Sequence, residues 1–229
     1  MPPADQPPTA RLPFVQRLLI AFLRSFFKLL YHQFAWAYDA VAAAVSLGTW
    51  QEWVKSVIPY LSQSTTLEIG FGTGHLQLAL QKHNIPAFGL DESSHMARIT
   101  SRRLIKSGMH ANLLRADAAH LPFAAQSFTQ LVMTFPADFI FRPSTLLEIH
   151  RLLSPGGLVL ILPFAWITGH RPWERLIAWV YHVTGQAPTW DERILAPLQF
   201  TGFELTWEKV TFPSSQVLIV RLRKPILVV

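Results

Sequence analysis

From Thr65 onward, short apolar runs alternate with segments whose apolar residues recur every three or four positions. Strands are predicted near 65–69, 87–90, 112–116, 128–134 and 157–163. Helices are predicted over 74–82, 94–106 and 144–153. Runs this apolar are strands covered on both faces, and the order is the βαβ rhythm of a parallel sheet with helices on both sides. Ser154-Pro155-Gly156-Gly157 predicts a turn that ends the last of these helices before Leu158-Val159-Leu160-Ile161-Leu162. The rhythm breaks over 163–200. There His170-Arg171-Pro172 opens a helix with Trp173, Leu176, Ile177, Val180 and Tyr181 at helical spacing, ending near Gly185, and a shorter helix falls between Asp191 and Leu198. Two further strands, near 203–211 and 216–222, form a hairpin around Pro213-Ser214-Ser215 and bring the expected sheet to seven, mostly parallel.

Ahead of the sheet, residues 1–10 hold four prolines and read as a disordered leader. The longest helical pattern follows, from about Leu12 to Ser46. At about 100° per residue, Arg17, Arg24, Lys28 and His32 share a narrow face opposite Leu19, Phe22, Leu23, Phe26, Leu30 and Ala37. A basic stripe over a Phe-rich face suits a helix lying in a membrane interface. It equally suits a helix that covers the core and extends its cations to water. Gly48 and Pro59 bracket a shorter helix with Trp50 and Trp53. The chain thus divides into a leader (1–10), a helical cap (11–60) and the sheet domain (61–229), with 163–200 inserted as a helical lid.

Composition narrows the setting. Of 229 residues, 50% are hydrophobic and only 15% charged, below the usual quarter, which points to a large apolar pocket, a partner or a lipid surface. The net charge of +6 is dispersed, with one cluster at Arg221-Leu222-Arg223-Lys224, and suits anionic lipid as well as nucleic acid. The chain has no cysteine, so disulfides, thiolate metal sites and a cysteine nucleophile are excluded. No basic residue precedes Arg11 and the run Leu18–Leu23 stops at Arg24, which is unlike a secretory signal. No apolar stretch approaches the roughly 18 residues of a membrane span. The expected location is the cytoplasm, with membrane association as the alternative use of residues 12–46.

The most informative stretch is Thr65-Thr66-Leu67-Glu68-Ile69-Gly70-Phe71-Gly72-Thr73-Gly74-His75-Leu76: a buried strand, a turn with glycine at alternate positions, and a helix start. Such a turn lets backbone approach a ligand, beside the unpaired N–H groups of the helix. A dinucleotide fingerprint would place its third glycine at position 75, where His75 stands. Glu68, two residues before Gly70, opposes a pyrophosphate and matches a ligand with an ammonium group. A turn with a purely structural purpose is the competing explanation.

Leu67 to Gly74 closely resembles the first motif of the class I S-adenosylmethionine-dependent methyltransferases, and the likeness continues in order. Gly89-Leu90-Asp91-Glu92-Ser93 is similar to the end of the family's second strand, where the acid accepts from the ribose hydroxyls. Arg115-Ala116-Asp117-Ala118, with Leu121-Pro122-Phe123, resembles the motif whose Asp meets the adenine amino group. Leu146 to Gly157 is similar to the mainly structural E-x-x-R-x-L-x-P-G-G segment. The nearest subgroup is the type-11 group, which includes quinone-ring and many small-molecule enzymes. The resemblance implies a Rossmann-like class I methyltransferase sandwich, S-adenosyl-L-methionine as cofactor and a cofactor site of Glu68, Gly70, Phe71, Gly72, Thr73, Gly74, Asp91, Glu92, Met96, Asp117, Ala118, Thr134 and Phe135. Thr129 stands where the family often has an acid. Thr134-Phe135-Pro136-Ala137 replaces the Asn/Asp-Pro-Pro-Tyr/Phe segment of enzymes that methylate base or glutamine amines, so no specific nucleic-acid partner is expected.

By the resemblance, a nucleophile attacks the sulfonium methyl in line and S-adenosylhomocysteine leaves. Positioning is then the main task of the protein, with Phe71, Phe135 and Tyr38 as candidate aromatic faces for the sulfonium. A base is needed only for a hydroxyl or an acidic carbon. His75, Asp138, His170, His182 and Asp39 are candidates, none singled out as catalytic, and no metal-ligand spacing occurs. Seven of the eight Trp lie in two segments, Trp36, Trp50 and Trp53 before the core and Trp166, Trp173, Trp179 and Trp190 within 163–200. They are expected either to fill a core or to fold over a small hydrophobic acceptor such as a lipid or quinone. The competing functions are RNA or protein methylation and a non-catalytic cofactor-binding module.

Overall fold

The computed structural model describes residues 43, 46–184, 190–199 and 202–226, with backbone alone over 182–184. The leader, most of the 12–46 helical pattern, and with them Trp36, Tyr38 and Asp39, lie outside the described residues. The first described helix, α1 (Trp50–Lys55), runs into a 3-10 turn at Ile58–Tyr60. The sheet domain then follows as β1 (Thr66–Ile69), α2 (His75–Lys82), β2 (Ala87–Asp91), α3 (Ser94–Lys106), β3 (Leu113–Arg115), β4 (Phe128–Thr134), α4 (Pro143–Leu152) and β5 (Leu153–Leu162). After these come β6 (Ala165–Ile167), α5 (Pro172–Thr184), a 3-10 turn at Glu192–Leu195, α6 (Ala196–Gln199), β7 (Glu204–Phe212) and β8 (Ser215–Arg223).

The sheet has eight strands in the order β3-β2-β1-β4-β5-β8-β6, with β7 on the other side of β8. The pairs among β1 to β5 are parallel and those of β8 are antiparallel. The eighth strand is β6. It carries on along β8 where β5 stops, pairing Ala165–Ile167 with Val217–Ser215, while β5 pairs with Arg223–Val220. Segment 163–200 is therefore not purely helical.

Side-chain alternation divides the core between the two faces of the sheet. Leu67, Ile69, Leu131, Met133, Val159 and Ile161 pack with Leu146, Ile149 and Leu152 of α4. Val132, Leu160, Leu162, Val217 and Ile219 pack with Trp53, Leu76, Leu80 and Tyr181 of α1, α2 and α5. Trp53 is fully buried and donates from Nε1 to the buried Ser215 Oγ at 2.9 Å, which fixes α1 to the end of the last strand.

Ser154-Pro155-Gly156-Gly157 is not a free turn. Leu153 pairs with Phe128 and Leu158 with Gln130, so four residues bulge opposite one. The bulge is held by Gly156 N–H donating to Lys224 O and Lys224 N–H donating to Gly157 O. The closing hairpin turns tightly at Pro213-Ser214, with Phe212 opposite Ser215. Among the described residues no helix is long and apolar enough to cross a membrane.

Candidate active site

Strand order reverses between β1 and β4, and the carboxyl ends of β3, β2, β1 and β4 open onto one crevice there. A cavity of about 1140 Å³ fills it. Its walls include Glu68, Gly70, Phe71, Gly72, Thr73, Asp91, Glu92, Asp117, Ala118, Thr134 and Phe135. Eleven of the thirteen residues expected at a cofactor thus meet at one cavity. The exceptions are Gly74, which is the N-cap of α2, and Met96, which is buried behind Phe71.

The turn needs its glycines for two reasons. Gly70, Gly72 and Gly74 all have left-handed φ, at 79°, 51° and 78°. At Gly74 a Cβ would also lie 2.3 Å from Thr100 Cγ2. Thr100 donates from Oγ1 to Gly72 O at 2.8 Å, and Arg103 donates to Thr73 O, so α3 clamps the turn from behind. Gly72 N–H in turn donates to Asp91 Oδ2 at 2.9 Å, while Ser93 N–H donates to Oδ1 at 2.9 Å. Asp91 is 4% exposed. Burial raises its carboxyl above the usual range, and the two backbone donors partly offset this.

Glu68 is buried deeper, at 1% exposure, on the side of β1 that faces α2. Among the described residues its carboxyl accepts one hydrogen bond, from Gln77 Nε2 at 2.8 Å. Burial pushes its pKa up to about 8; the Gln77 bond acts against the rise and the nearby Asp91 adds to it. Gln77 also donates to Phe88 O at 3.2 Å, and it can approach because position 89 is glycine: a Cβ there would lie 3.1 Å from Gln77 Cδ and 2.8 Å from Phe71. Asp117 is more exposed, and its Oδ1 accepts from Ala119 N–H at 2.9 Å. Its loop is tied down by α4. Glu148 accepts from Leu121 N–H at 2.8 Å, and Arg151 pairs with Glu148 while donating to Leu121 O and Phe123 O. This accounts for the E-x-x-R segment as structure.

Part of the cavity wall is aromatic. Phe135 ends β4 with φ at +48°, uncommon for a bulky residue, and donates its N–H to Leu162 O at 2.7 Å. Its ring stacks on Trp50 at 4.4 Å with 25° between planes, and Phe139 lies over Gly70. Of the candidate bases, His75 and Asp138 line the cavity and His170 does not. Trp166, Trp173, Trp179 and Trp190 do not fold over it either. Trp166 and Trp190 meet edge to face at 6.0 Å, Lys209 Nζ lies 5.2 and 5.1 Å from their rings, and Trp190 packs on Trp207 of the terminal hairpin. Gln77, Phe139 and Arg142 were not foreseen. For Gln77 the signal was a polar residue on the otherwise apolar inner face of α2, beside Leu76 and Leu80.

Residues 66–157 match the family model described as a methyltransferase domain. The chain is 30% identical over 165 residues to the ubiquinone/menaquinone biosynthesis C-methyltransferase UbiE of Bartonella tribocorum, covering 66% of this chain and 63% of that protein. It spans less than two thirds of the curated relatives it matches. Among solved structures, a putative S-adenosyl-L-methionine-dependent methyltransferase from Methanococcus maripaludis superposes with a TM-score of 0.61 at 18% identity, over 83% of this chain and 92% of that one. The [4+2]-cyclase SpnF superposes with a TM-score of 0.57 at 19% identity, over 77% and 80%. The fold is therefore the Rossmann-like class I methyltransferase fold. Residues 66–157 thus carry a methyltransferase domain, and the chain is similar to the class I S-adenosylmethionine-dependent methyltransferases.

The cofactor of that class fits the cavity on its own chemistry. Its floor offers the carboxylates of Glu68, Asp91 and Asp117, acceptors suited to ammonium, hydroxyl and amino donors and opposed to phosphate.

Proposed function

We propose that this protein transfers a methyl group from S-adenosylmethionine to a small hydrophobic acceptor, in the cytoplasm and at a membrane surface. The observation that carries this is one cavity lined both by two buried carboxyl groups, Glu68 and Asp91, and by the Trp50–Phe135 stack with Phe139. When bound, the cofactor supplies a methyl group already activated on a sulfonium. Glu68 holds its ammonium group, Asp91 the ribose hydroxyls, with Glu92 beside them, and Asp117 and Ala118 the adenine. Gly70, Gly72 and Thr73 bring backbone against it, Gly74 starts the helix behind, and Met96 supports Phe71. Thr134 and Phe135 would line the place where methyl donor and acceptor meet, and Phe71 and Phe135 would offer ring faces to the sulfonium. The protein's share of the rate is alignment of the two partners and exclusion of water. His75 and Asp138 stand where a base would act on an acceptor that must lose a proton.

A quinone-like or lipid acceptor accords with the aromatic wall and with the names of the curated relatives. The test is incubation of the full chain with methyl-labelled cofactor and separate lipid, quinone and RNA extracts. Label in the organic-soluble fraction, dependent on intact Asp91, is the expected result. Label in RNA or in protein alone would overturn the acceptor class.

A further inference from the structure

Helix α5 has a buried side and an exposed apolar side. Tyr181, Ile177 and Ala178 pack in one cluster with Ile167 of β6 and Trp53 of α1. On the opposite side, Trp173, Leu176 and Trp179 are 53%, 60% and 45% exposed. At 3.6 residues per turn these three fall on one face, with half-buried Val180 completing it. Single exposed apolar side chains are ordinary, but a contiguous stripe with two indoles is not.

The exposed charges that α5 and the residue before it carry beside this stripe have one sign. Arg171 and Arg175 are exposed at its flank, and the Arg171 guanidinium lies 5.5 Å from the Trp173 ring. The only acid of the helix, Glu174, is turned inward at 4% exposure. It accepts from Arg171 N–H at 2.8 Å and lies against Gly169, where any Cβ would collide with its carboxyl. The acid that would repel an anionic surface is thus withdrawn into a helix cap.

We propose that this face of α5 docks on an anionic lipid bilayer, with Trp173, Leu176 and Trp179 at the boundary of headgroups and acyl chains and Arg171 and Arg175 on the phosphates. Trp combines an apolar body with a polar N–H and so suits that boundary, and a helix of this composition lies in the plane of the interface. The arginines favour lipid over a second copy of the chain, whose matching face would carry the same charges. Trp50 and Phe135, which line the cavity, belong to the same side-chain cluster as the inner side of α5. Docking there would turn towards the lipid the face of the sheet on which Trp50 and Phe135 pack. The inference supplies the surface for the membrane half of the function proposed above, and vesicle binding is measured without cofactor or acceptor, so either can fail without the other.

The experiment is co-sedimentation of the full chain with vesicles of phosphatidylcholine alone and of phosphatidylcholine with phosphatidylglycerol. The full chain is expected to bind the anionic vesicles, and less so as salt is raised. The W173S/L176S/W179S variant is expected to lose binding at least about tenfold. The R171Q/R175Q variant is expected to lose about fivefold per charge on anionic vesicles alone. All five substituted side chains are exposed and none lines the cavity, and equal cofactor affinity by calorimetry verifies that each variant is folded. The proposal is overturned if the native chain ignores vesicles, or if the triple serine variant binds them as the native chain does, which would place any contact elsewhere, such as 12–46. Sedimentation velocity showing a dimer that the serine variant abolishes, without vesicle binding, would assign the face to a second copy instead.

Discussion

Replacing Glu68 with Gln is expected to weaken S-adenosylmethionine binding by about a hundredfold, near 3 kcal/mol, because the ligand ammonium loses a buried charged acceptor. The shape of the site should survive, since Gln is isosteric with the protonated carboxyl. The pH dependence is more diagnostic than the magnitude. With a pKa of about 8, Glu68 is mostly protonated at neutral pH before ligand arrives. Binding the ammonium recruits the ionised form, so affinity of the native protein should rise about tenfold per pH unit from 6 towards 8. It should fall again once the ligand amine itself deprotonates, near 8. In the Gln variant the rising limb should vanish. Stability of the ligand-free protein tells the same story in reverse. A carboxyl whose pKa is raised by folding keeps its proton between about 4.5 and 8 while the unfolded chain releases it, so stability falls with rising pH across that window. Urea unfolding of the Gln variant should lack this decline and leave it more stable than the native protein at pH 8, by on the order of 3 kcal/mol.

Gly74→Ala is expected to be the most damaging single substitution in the turn. A Cβ at this position would sit 2.3 Å from Thr100 Cγ2 and 2.8 Å from its Oγ1 in a backbone with φ at +78°. Left-handed strain costs about 1–2 kcal/mol and overpacking another 1–3, so a loss of about 3 kcal/mol in urea unfolding is expected. Thr100 cannot swing away freely, because it is buried and its hydroxyl holds Gly72 O. Displacing it loosens Gly72, whose N–H orients Asp91, so cofactor affinity should fall with stability. The control is Gly72→Ala. That position also has positive φ but nothing within 4 Å of a Cβ, so about 1 kcal/mol of strain alone is expected. Combining Gly74→Ala with Thr100→Ser, which removes the Cγ2, should recover part of the loss, a coupling that additive strain would not produce.

What was legible in the sequence were features fixed by neighbours along the chain. Glu68, Gly70, Gly72 and Asp91 are held in place by a strand, a tight turn, one helix and a second strand, so their spacing alone brought them to one crevice. Asp117 followed the same logic one strand further. What was not legible depended on contacts between distant segments. Gln77 supports Glu68 only because Gly89, on a different strand, leaves it room. Ser154 to Gly157 read as a turn, yet pairing with Lys224 at the far end of the chain makes it a bulge within β5. The Trp-rich 163–200 segment showed the limit most clearly. Aromatic content marked it as unusual, but only packing could reveal that Trp166 and Trp190 both contact Lys209 while Trp173 and Trp179 face outward. Among the described tryptophans, Trp50, from the other Trp-rich segment, is the one that lines the cavity.

The central claim is that the cavity recognises the cofactor through its amino group at Glu68 and its ribose at Asp91. Calorimetric titration of the full chain with S-adenosylmethionine and with 5′-methylthioadenosine, which keeps the nucleoside and lacks the amino acid, tests it most directly. Saturable binding of S-adenosylmethionine, with the nucleoside about a hundredfold weaker in the native protein and the difference largely erased by Glu68→Gln, is the predicted result. Equal affinity for the two ligands, or no binding of either at millimolar concentration, would contradict it.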